Sequence, residues 1–304
     1  MQLTVIDIGG TAIKYGVLND DGKLMFHESM PTEAFQGGDA LMQKILDICD
    51  QVNDKSDVSG IAISSAGQID NINGVVVHAT DTIPGYSGMP VTEMVTKHTG
   101  LPATIENDVN CTALGEHWKG AAVGIDNFLC MTIGTGIGGA LFMNGQLYTG
   151  ANFSSGEFGH INLYQDGKTC TCGSKGCFER YASSAALTDL IRSKFERSID
   201  LPEFFQMVKQ EDSLSVETFK EWVNDVATGI QSLIHIFNPK LVVIGGGITA
   251  QGDFLLNAIQ SAVNKKVMPN HRNQLEMKLA INDNKANLLG AAKHFWNMNG
   301  YNYS

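Results

Sequence analysis

A chain of 304 residues is long enough for about two domains with cores of their own, so a small scaffold held by disulfides is excluded. Apolar residues make up 43% and charged residues 17%, the balance of a folded globular protein and not of a disordered one. With 21 Lys+Arg against 32 Asp+Glu, the net charge of −11 opposes a nucleic-acid partner, and no Lys/Arg run offsets it.

In chain order, Leu3 to Ile8 reads as a strand. Ile13 to Leu18 and Leu24 to Met30 follow, joined by the turn residues Asn19-Asp20-Asp21-Gly22, and together they predict an antiparallel meander. Asp7 interrupts the apolar N-terminal run before it reaches signal-peptide length, and no stretch reaches the roughly 18 apolar residues of a membrane span. The expectation is a cytoplasmic protein with no membrane partner. Ala40 to Val52 has helical spacing, Gly60 to Ile63 and Val75 to His78 are extended, and Ala103 to Ile105 leads into a helix over Val109 to Trp118. Strand and helix alternate as in an α/β fold.

After a pause at Gly120-Ala121-Ala122-Val123-Gly124, strands over Asn127 to Ile133, Gly138 to Met143 and Gln146 to Tyr148 repeat the opening meander. At an offset of 125, Ile8-Gly9 falls on Ile133-Gly134, Val17 on Phe142 and Asn19 on Asn144, which implies two similar halves. A helix from Ser183 to Ser198, an acidic connection and a long helix from Val216 to Phe237 come next. Pro239 ends that helix, Leu241 to Ile244 is a buried strand, and Phe254 to Val267, Met277 to Ile281 and Ala286 to Trp296 read as helix, strand and helix.

Glycine is over-represented, at 33 residues, about 11% against the usual ~7%. Three glycine turns follow apolar strands: Asp7-Ile8-Gly9-Gly10-Thr11, Gly134-Thr135-Gly136 within Ile133 to Gly139, and Gly245-Gly246-Gly247. Glycine lets backbone N–H groups approach a ligand and Thr adds a hydroxyl donor, a combination suited to phosphate oxygens. Gly134 to Gly139 matches G-x-G-x-x-G but leads into a strand, where the dinucleotide fingerprint requires a helix, and no G-x-x-x-x-G-K-[ST] occurs. Asp7 could hold Mg²⁺ through water beside substrate phosphates. Lys14 reads either as a further charge there or as an exposed strand lysine.

Asp108, in Glu106-Asn107-Asp108-Val109-Asn110 between a strand and a helix, reads either as an N-cap or as the base that takes a proton from an attacking hydroxyl. Cys49, Cys111 and Cys130 are scattered, whereas His160, Cys170, Cys172 and Cys177 form H-x9-C-x-C-x4-C. Three thiolates and one imidazole make a closed tetrahedral Zn²⁺ shell, hence a structural site. Glu157 and Glu179 flank it and could accept hydrogen bonds from polyhydroxyl groups, or remain solvated carboxylates.

These residues resemble the ROK family of the actin/hexokinase ATPase superfamily over about residues 3 to 296: Asp7-x-Gly-Gly-Thr-x-x-Lys14, Glu106-Asn107-Asp108-x-Asn110, Gly134-Thr-Gly-x-Gly-Gly139, Gly156-Glu157-Phe158-Gly159-His160 and Cys170-x-Cys-Gly-x-x-Gly-Cys177-x-Glu179. The resemblance implies two ribonuclease-H-like α/β lobes with a cleft between them, one over 1–119 completed by 286–304 and one over 120–285 carrying the zinc loop. It implies ATP and a small sugar as partners, phosphotransfer to the 6-hydroxyl of a hexose or its derivative, and a homodimer. ATP phosphates would meet Gly9 to Thr11 and Gly134 to Gly136, with adenosine near Gly245 to Gly247. Gly67, Asn107, Asp108, Glu157, His160 and Glu179 would bind the sugar, with Asp108 also the base and His160 using one ring nitrogen for zinc and the other for the sugar. Two departures stand beside that pocket: Ala66 replaces the proline common in family glucokinases, and Thr82-Ile83-Pro84-Gly85-Tyr86 replaces Asn-x-Pro-Gly-Trp. They point away from plain glucose and toward a β-glucoside or an acetylated hexosamine. Family repressors, the alternative reading, carry a winged-helix region ahead of the Asp-x-Gly-Gly-Thr motif; here six residues precede Asp7.

Overall fold

The computed structural model describes residues 1–79, 82–282 and 285–301. The chain forms β1 (Gln2–Ile8), β2 (Ala12–Asn19), β3 (Leu24–Pro31), α1 (Gly38–Asn53), β4 (Ile61–Ser65), β5 (Gln68–Asp70), β6 (Val75–His78), α2 (Val91–Thr99), β7 (Ala103–Asn107) and α3 (Asp108–Lys119). It continues through β8 (Phe128–Ile133), β9 (Ile137–Met143), β10 (Gln146–Tyr148), α4 (Glu179–Ala182), α5 (Ser184–Lys194), α6 (Leu201–Lys209), α7 (Ser213–Phe237), β11 (Leu241–Gly245), α8 (Asp253–Lys266), α9 (Pro269–Arg272), β12 (Glu276–Leu279) and α10 (Ala286–Met298). Two compact units result: Met1–Gly124 with Gln146–Ser155 and Ile281–Ser304, and Ile125–Gly145 with Gly156–Ala280.

In the first unit the sheet order is β3-β2-β1-β4-β7. β1, β2 and β3 form the antiparallel meander, while β4 is parallel to β1 and β7 to β4. Leu3 to Ile8 and all of β4 are buried without alternation, because helices cover both faces of these central strands. Leu41, Ile45, Ile48 and Val52 of α1 fill one core with Ile6, Ile8 and Ile63. Leu288, Ala292, Phe295 and Trp296 of α10 fill the other with Leu3, Val5 and Ala62. α3 and α10 cross closely at Gly115 and Gly290, where a side chain would collide with the carbonyls of Ala286 and Cys111. Trp118 and Trp296 then meet edge to face at 5.0 Å.

In the second unit β9-β8-β11-β12 repeats the order and directions of β2-β1-β4-β7. Its core joins Leu129, Met131 and Ile133 to Trp222, Val226 and Ile230 of α7 and Leu255, Ile259 and Val263 of α8. The register corrects the repeat. Ile8 pairs with Ile13 but Ile133 with Ile137, so the second turn is shorter, and Phe142, opposite Phe128, matches Leu18, opposite Leu3, and not Val17.

The helix expected to run to Ser198 ends at Lys194, because Phe195 turns extended and packs its ring against Phe204. Phe204 belongs to α6, a helix inside the acidic connection, capped by Asp200 and burying Phe204, Phe205 and Val208. Among the described residues no helix is long and apolar enough to cross a membrane.

Candidate active site

β1, β4 and β7 are parallel and in register, so Asp7 pairs with Ser64 and Ser64 with Glu106 at the carboxyl ends of three adjacent strands. Ligands of α/β sheets bind at such ends. Asp7 is 4% exposed; its Oδ1 accepts from Ser64 Oγ at 2.8 Å and Asn287 Nδ2 at 2.9 Å. Burial nevertheless raises its carboxyl above the ordinary range. Lys14, opposite Asp7 across the antiparallel pair, brings Nζ to 4.0 Å from Oδ2, so it stands at this site. The adjoining turn is closed by Gly9 N–H donating to the Ala12 carbonyl at 3.1 Å, and Gly10 and Thr11 are exposed.

The cap of α3 is Asn107 and not Asp108: Asn107 Oδ1 accepts from the N–H groups of Val109 and Asn110. Its Nδ2 donates to the Gly67 carbonyl at 2.8 Å and to Asp108 Oδ1 at 3.0 Å. Gly67 has φ +110°, and a side chain there would press on the His78 carbonyl, so the approach requires glycine. Asp108 opens the helix half-buried. Burial, and after it the charge of Asp7, pushes its carboxyl up to about 6 against bonds from Val109 N–H and Asn107. Glu106, 1% exposed, accepts from Asn71 Nδ2 at 2.5 Å, Asn110 Nδ2 at 3.0 Å and Asn107 N–H at 2.7 Å, which anchors the strand end. Ser65 Oγ and Tyr86 OH lie 3.0 Å apart, and Tyr86 is fully buried.

In the second unit Gly245 pairs with Thr132, so the turns at Gly134 to Gly136 and Gly245 to Gly247 leave adjacent strand ends. Gly134 N–H donates to Gly136 O at 3.0 Å, and Ser184 N–H at the start of α5 donates to Gly134 O at 2.9 Å. Thr249 closes the second turn with its N–H and hydroxyl on Gly246 O at 3.0 and 2.8 Å.

The ligating atoms of His160, Cys170, Cys172 and Cys177 all lie within 4.8 Å of one another. Cys172 Sγ and Cys177 Sγ are 3.5 Å apart, and Cys170 Sγ and His160 Nδ1 3.6 Å, close to the roughly 3.6–3.8 Å that tetrahedral Zn–S and Zn–N bonds impose. The residues therefore fit Zn²⁺. Cys170 N–H to Ser174 O and Gly173 N–H to Cys170 O fold the loop into a tight knuckle. His160 turns Nδ1 toward the thiols and leaves Nε2 3.8 Å from Glu157 Oε2. Glu179, at the start of α4, accepts from Ile137 N–H on Oε2 at 3.5 Å, and its Oε1 lies 3.5 Å from Cys170 Sγ, so it stands between the knuckle and the Gly134–Gly139 segment.

Three contributors escaped the sequence reading: Ser64, Glu106 as an anchor, and Asn287. Glu106 lies in the Glu-Asn-Asp motif and could have been found there. Asn287 is 280 residues from the carboxylate it holds, and no local pattern links positions that far apart.

The chain matches the ROK family model over residues 3–297. It is 31% identical over 306 residues to a glucokinase of Thermotoga maritima, with 96% of each chain covered. It is 32% identical over 305 residues to a β-glucoside kinase of Listeria innocua, with 97% of each covered. A ROK family glucokinase from Streptomyces griseus in complex with glucose and AMPPNP superposes with a TM-score of 0.82 at 29% identity, over 96% of this chain and 98% of that one. With its mixed-sheet α/β architecture and matches spanning nearly every residue, the chain belongs to the ROK family.

Proposed function

We propose that this protein is an ATP-dependent sugar kinase that phosphorylates the 6-hydroxyl of a hexose or hexose derivative: glucose, a β-glucoside or an N-acetylhexosamine. One observation carries the reading. Asp108 is a half-buried carboxyl raised to about 6, fixed at a strand–helix junction and near a second carboxylate, Asp7. Above that pH it is an ionised acceptor whose affinity for a proton suits a base working near neutrality. The glucokinase and β-glucoside kinase relatives support the same chemistry.

Asp108 takes the proton of the sugar hydroxyl as the bond from that oxygen to the γ-phosphorus forms and the bond to the ADP oxygen breaks. Asn107 and the Gly67 backbone hold sugar hydroxyls beside it, joined by Glu157, His160 Nε2 and Glu179. N–H groups of the turns at Gly9 to Thr11 and Gly134 to Gly136, with Lys14, receive phosphate oxygens, and Gly245 to Gly247 receive the adenosine. Asp7 would supply a hard oxygen donor for Mg²⁺, which when bound would offset phosphate charge. Zn²⁺, held by His160, Cys170, Cys172 and Cys177, would fix the tautomer and aim of His160. The family resemblance extends the reading to a cytoplasmic homodimer.

The test is Asp108→Asn. It should lower kcat by about 10²- to 10⁴-fold with sugar affinity nearly unchanged; a variant that keeps most of its kcat would remove Asp108 from the chemistry.

A further inference from the structure

Asp7 is held by a relay whose members come from four elements. Ser64 on β4 and Asn287 in the first turn of α10 both donate to Oδ1 of Asp7 on β1, at 2.8 and 2.9 Å. An ionised carboxylate only accepts, so Asn287 must point Nδ2 at Asp7 and its carbonyl oxygen away from it. That oxygen accepts from the Thr112 hydroxyl on α3 at 2.5 Å. Thr112 stands one turn after Asp108, and its hydroxyl also lies 3.1 Å from the Asp108 carbonyl. The glycine crossing of α3 and α10 fixes the two helices that carry Thr112 and Asn287. The amide of Asn287 is thus determined at both ends.

We infer that Asn287, assisted by Ser64, is a positioning residue that sets the rotamer of Asp7 and its spacing from Asp108. The inference rests on the reading that Asp7 serves the Mg²⁺ of ATP. Two donors occupy Oδ1, while Oδ2 faces Lys14 at 4.0 Å and is the oxygen turned to a cation. Asp7 and Asp108 carry like charges, and each would gain by swinging away from the other. The Thr112–Asn287–Asp7–Ser64 relay opposes that motion at Asp7, through two donors on the same oxygen. Partners that orient a metal-binding carboxylate commonly change metal affinity or activity by 10- to 100-fold when removed.

The experiment compares ADP binding by calorimetry, with Mg²⁺ and with EDTA, for wild type, Asn287→Ala and Ser64→Ala, beside the Mg²⁺ dependence and sugar KM of the kinase reaction. Asn287→Ala should weaken MgADP binding roughly 10-fold and raise the Mg²⁺ needed for half-maximal rate by a similar factor. ADP binding in EDTA and the sugar KM should stay at wild-type values. Ser64→Ala removes the other donor to the same oxygen and should shift MgADP in the same direction, which keeps the test open if Asn287→Ala does not fold. Wild-type MgADP affinity in the folded variants, or equal losses with and without Mg²⁺, would overturn the positioning role. A wild type whose ADP affinity ignores Mg²⁺ would instead overturn the reading of Asp7, and the inference with it.

Discussion

Asp108 shows what the site costs the fold. A carboxyl raised in the folded state binds its proton more tightly folded than unfolded. Its stabilising contribution is therefore complete below the ordinary value of 3.8 and is lost as pH rises through about 6. At neutral pH the ionised group, partly desolvated and near Asp7, is destabilising. Asp108→Asn should then melt at a higher temperature than wild type at pH 7.5, and the gap should close toward pH 4. A variant that melts lower at pH 7.5 would show that the carboxylate is a structural anchor. The kinetic counterpart of the proposed role is an acid limb in kcat/KM near pH 6, because Asp108 accepts a proton only when ionised.

At the scale of elements, two devices hold the site's supports in place. Glu116, 0% exposed near the end of α3, accepts from the backbone N–H groups of Ala121 at 2.7 Å, Ile281 at 3.2 Å and Asn282 at 2.9 Å. Those amides lie where the chain leaves and re-enters the first unit. Backbone donors cannot flip, so Glu116→Gln must set an NH₂ group against an N–H, at a cost of about 2–4 kcal/mol. Thermal melting should register the loss, with faster hydrogen exchange at residues 121 and 281–282; an unshifted melt would contradict it. The second device is the His-Cys knuckle. Protein purified without added zinc should carry about one zinc per chain, and chelation should unfold the loop and raise the sugar KM. A zinc-free protein that stays folded and fully active would contradict the site.

Much of this was legible in the chain. β1 and β2 declare themselves by apolar runs, α1 by apolar residues at helical spacing, and the knuckle by the spacing of its His and Cys residues. α2 was missed because it buries only Val91 and Val95, and α6 because its apolar face sits inside an acidic connection. The N-cap fell to Asn107, one residue earlier than expected, since either side chain suits that role and only the backbone decides. Asn287 had no local sign at all.

For the whole molecule, the duplicated sheet order explains why the glycines concentrate where they do: strands that repeat present repeated turns at their carboxyl ends. The charge of −11 agrees with a small-molecule partner and not a polyanion. Tyr86, in the Thr82 to Tyr86 segment, is buried with its hydroxyl 3.0 Å from Ser65 Oγ. Thr80 and Asp81, just before that segment, lie outside the described residues. The most direct test of the central claim is ADP release, coupled to a spectroscopic readout, with MgATP and glucose, mannose, fructose, N-acetylmannosamine, N-acetylglucosamine or cellobiose in turn. ADP release should depend on at least one of these sugars and yield its 6-phosphate by NMR; turnover with none of them, or ADP release indifferent to sugar, would contradict a hexose 6-kinase.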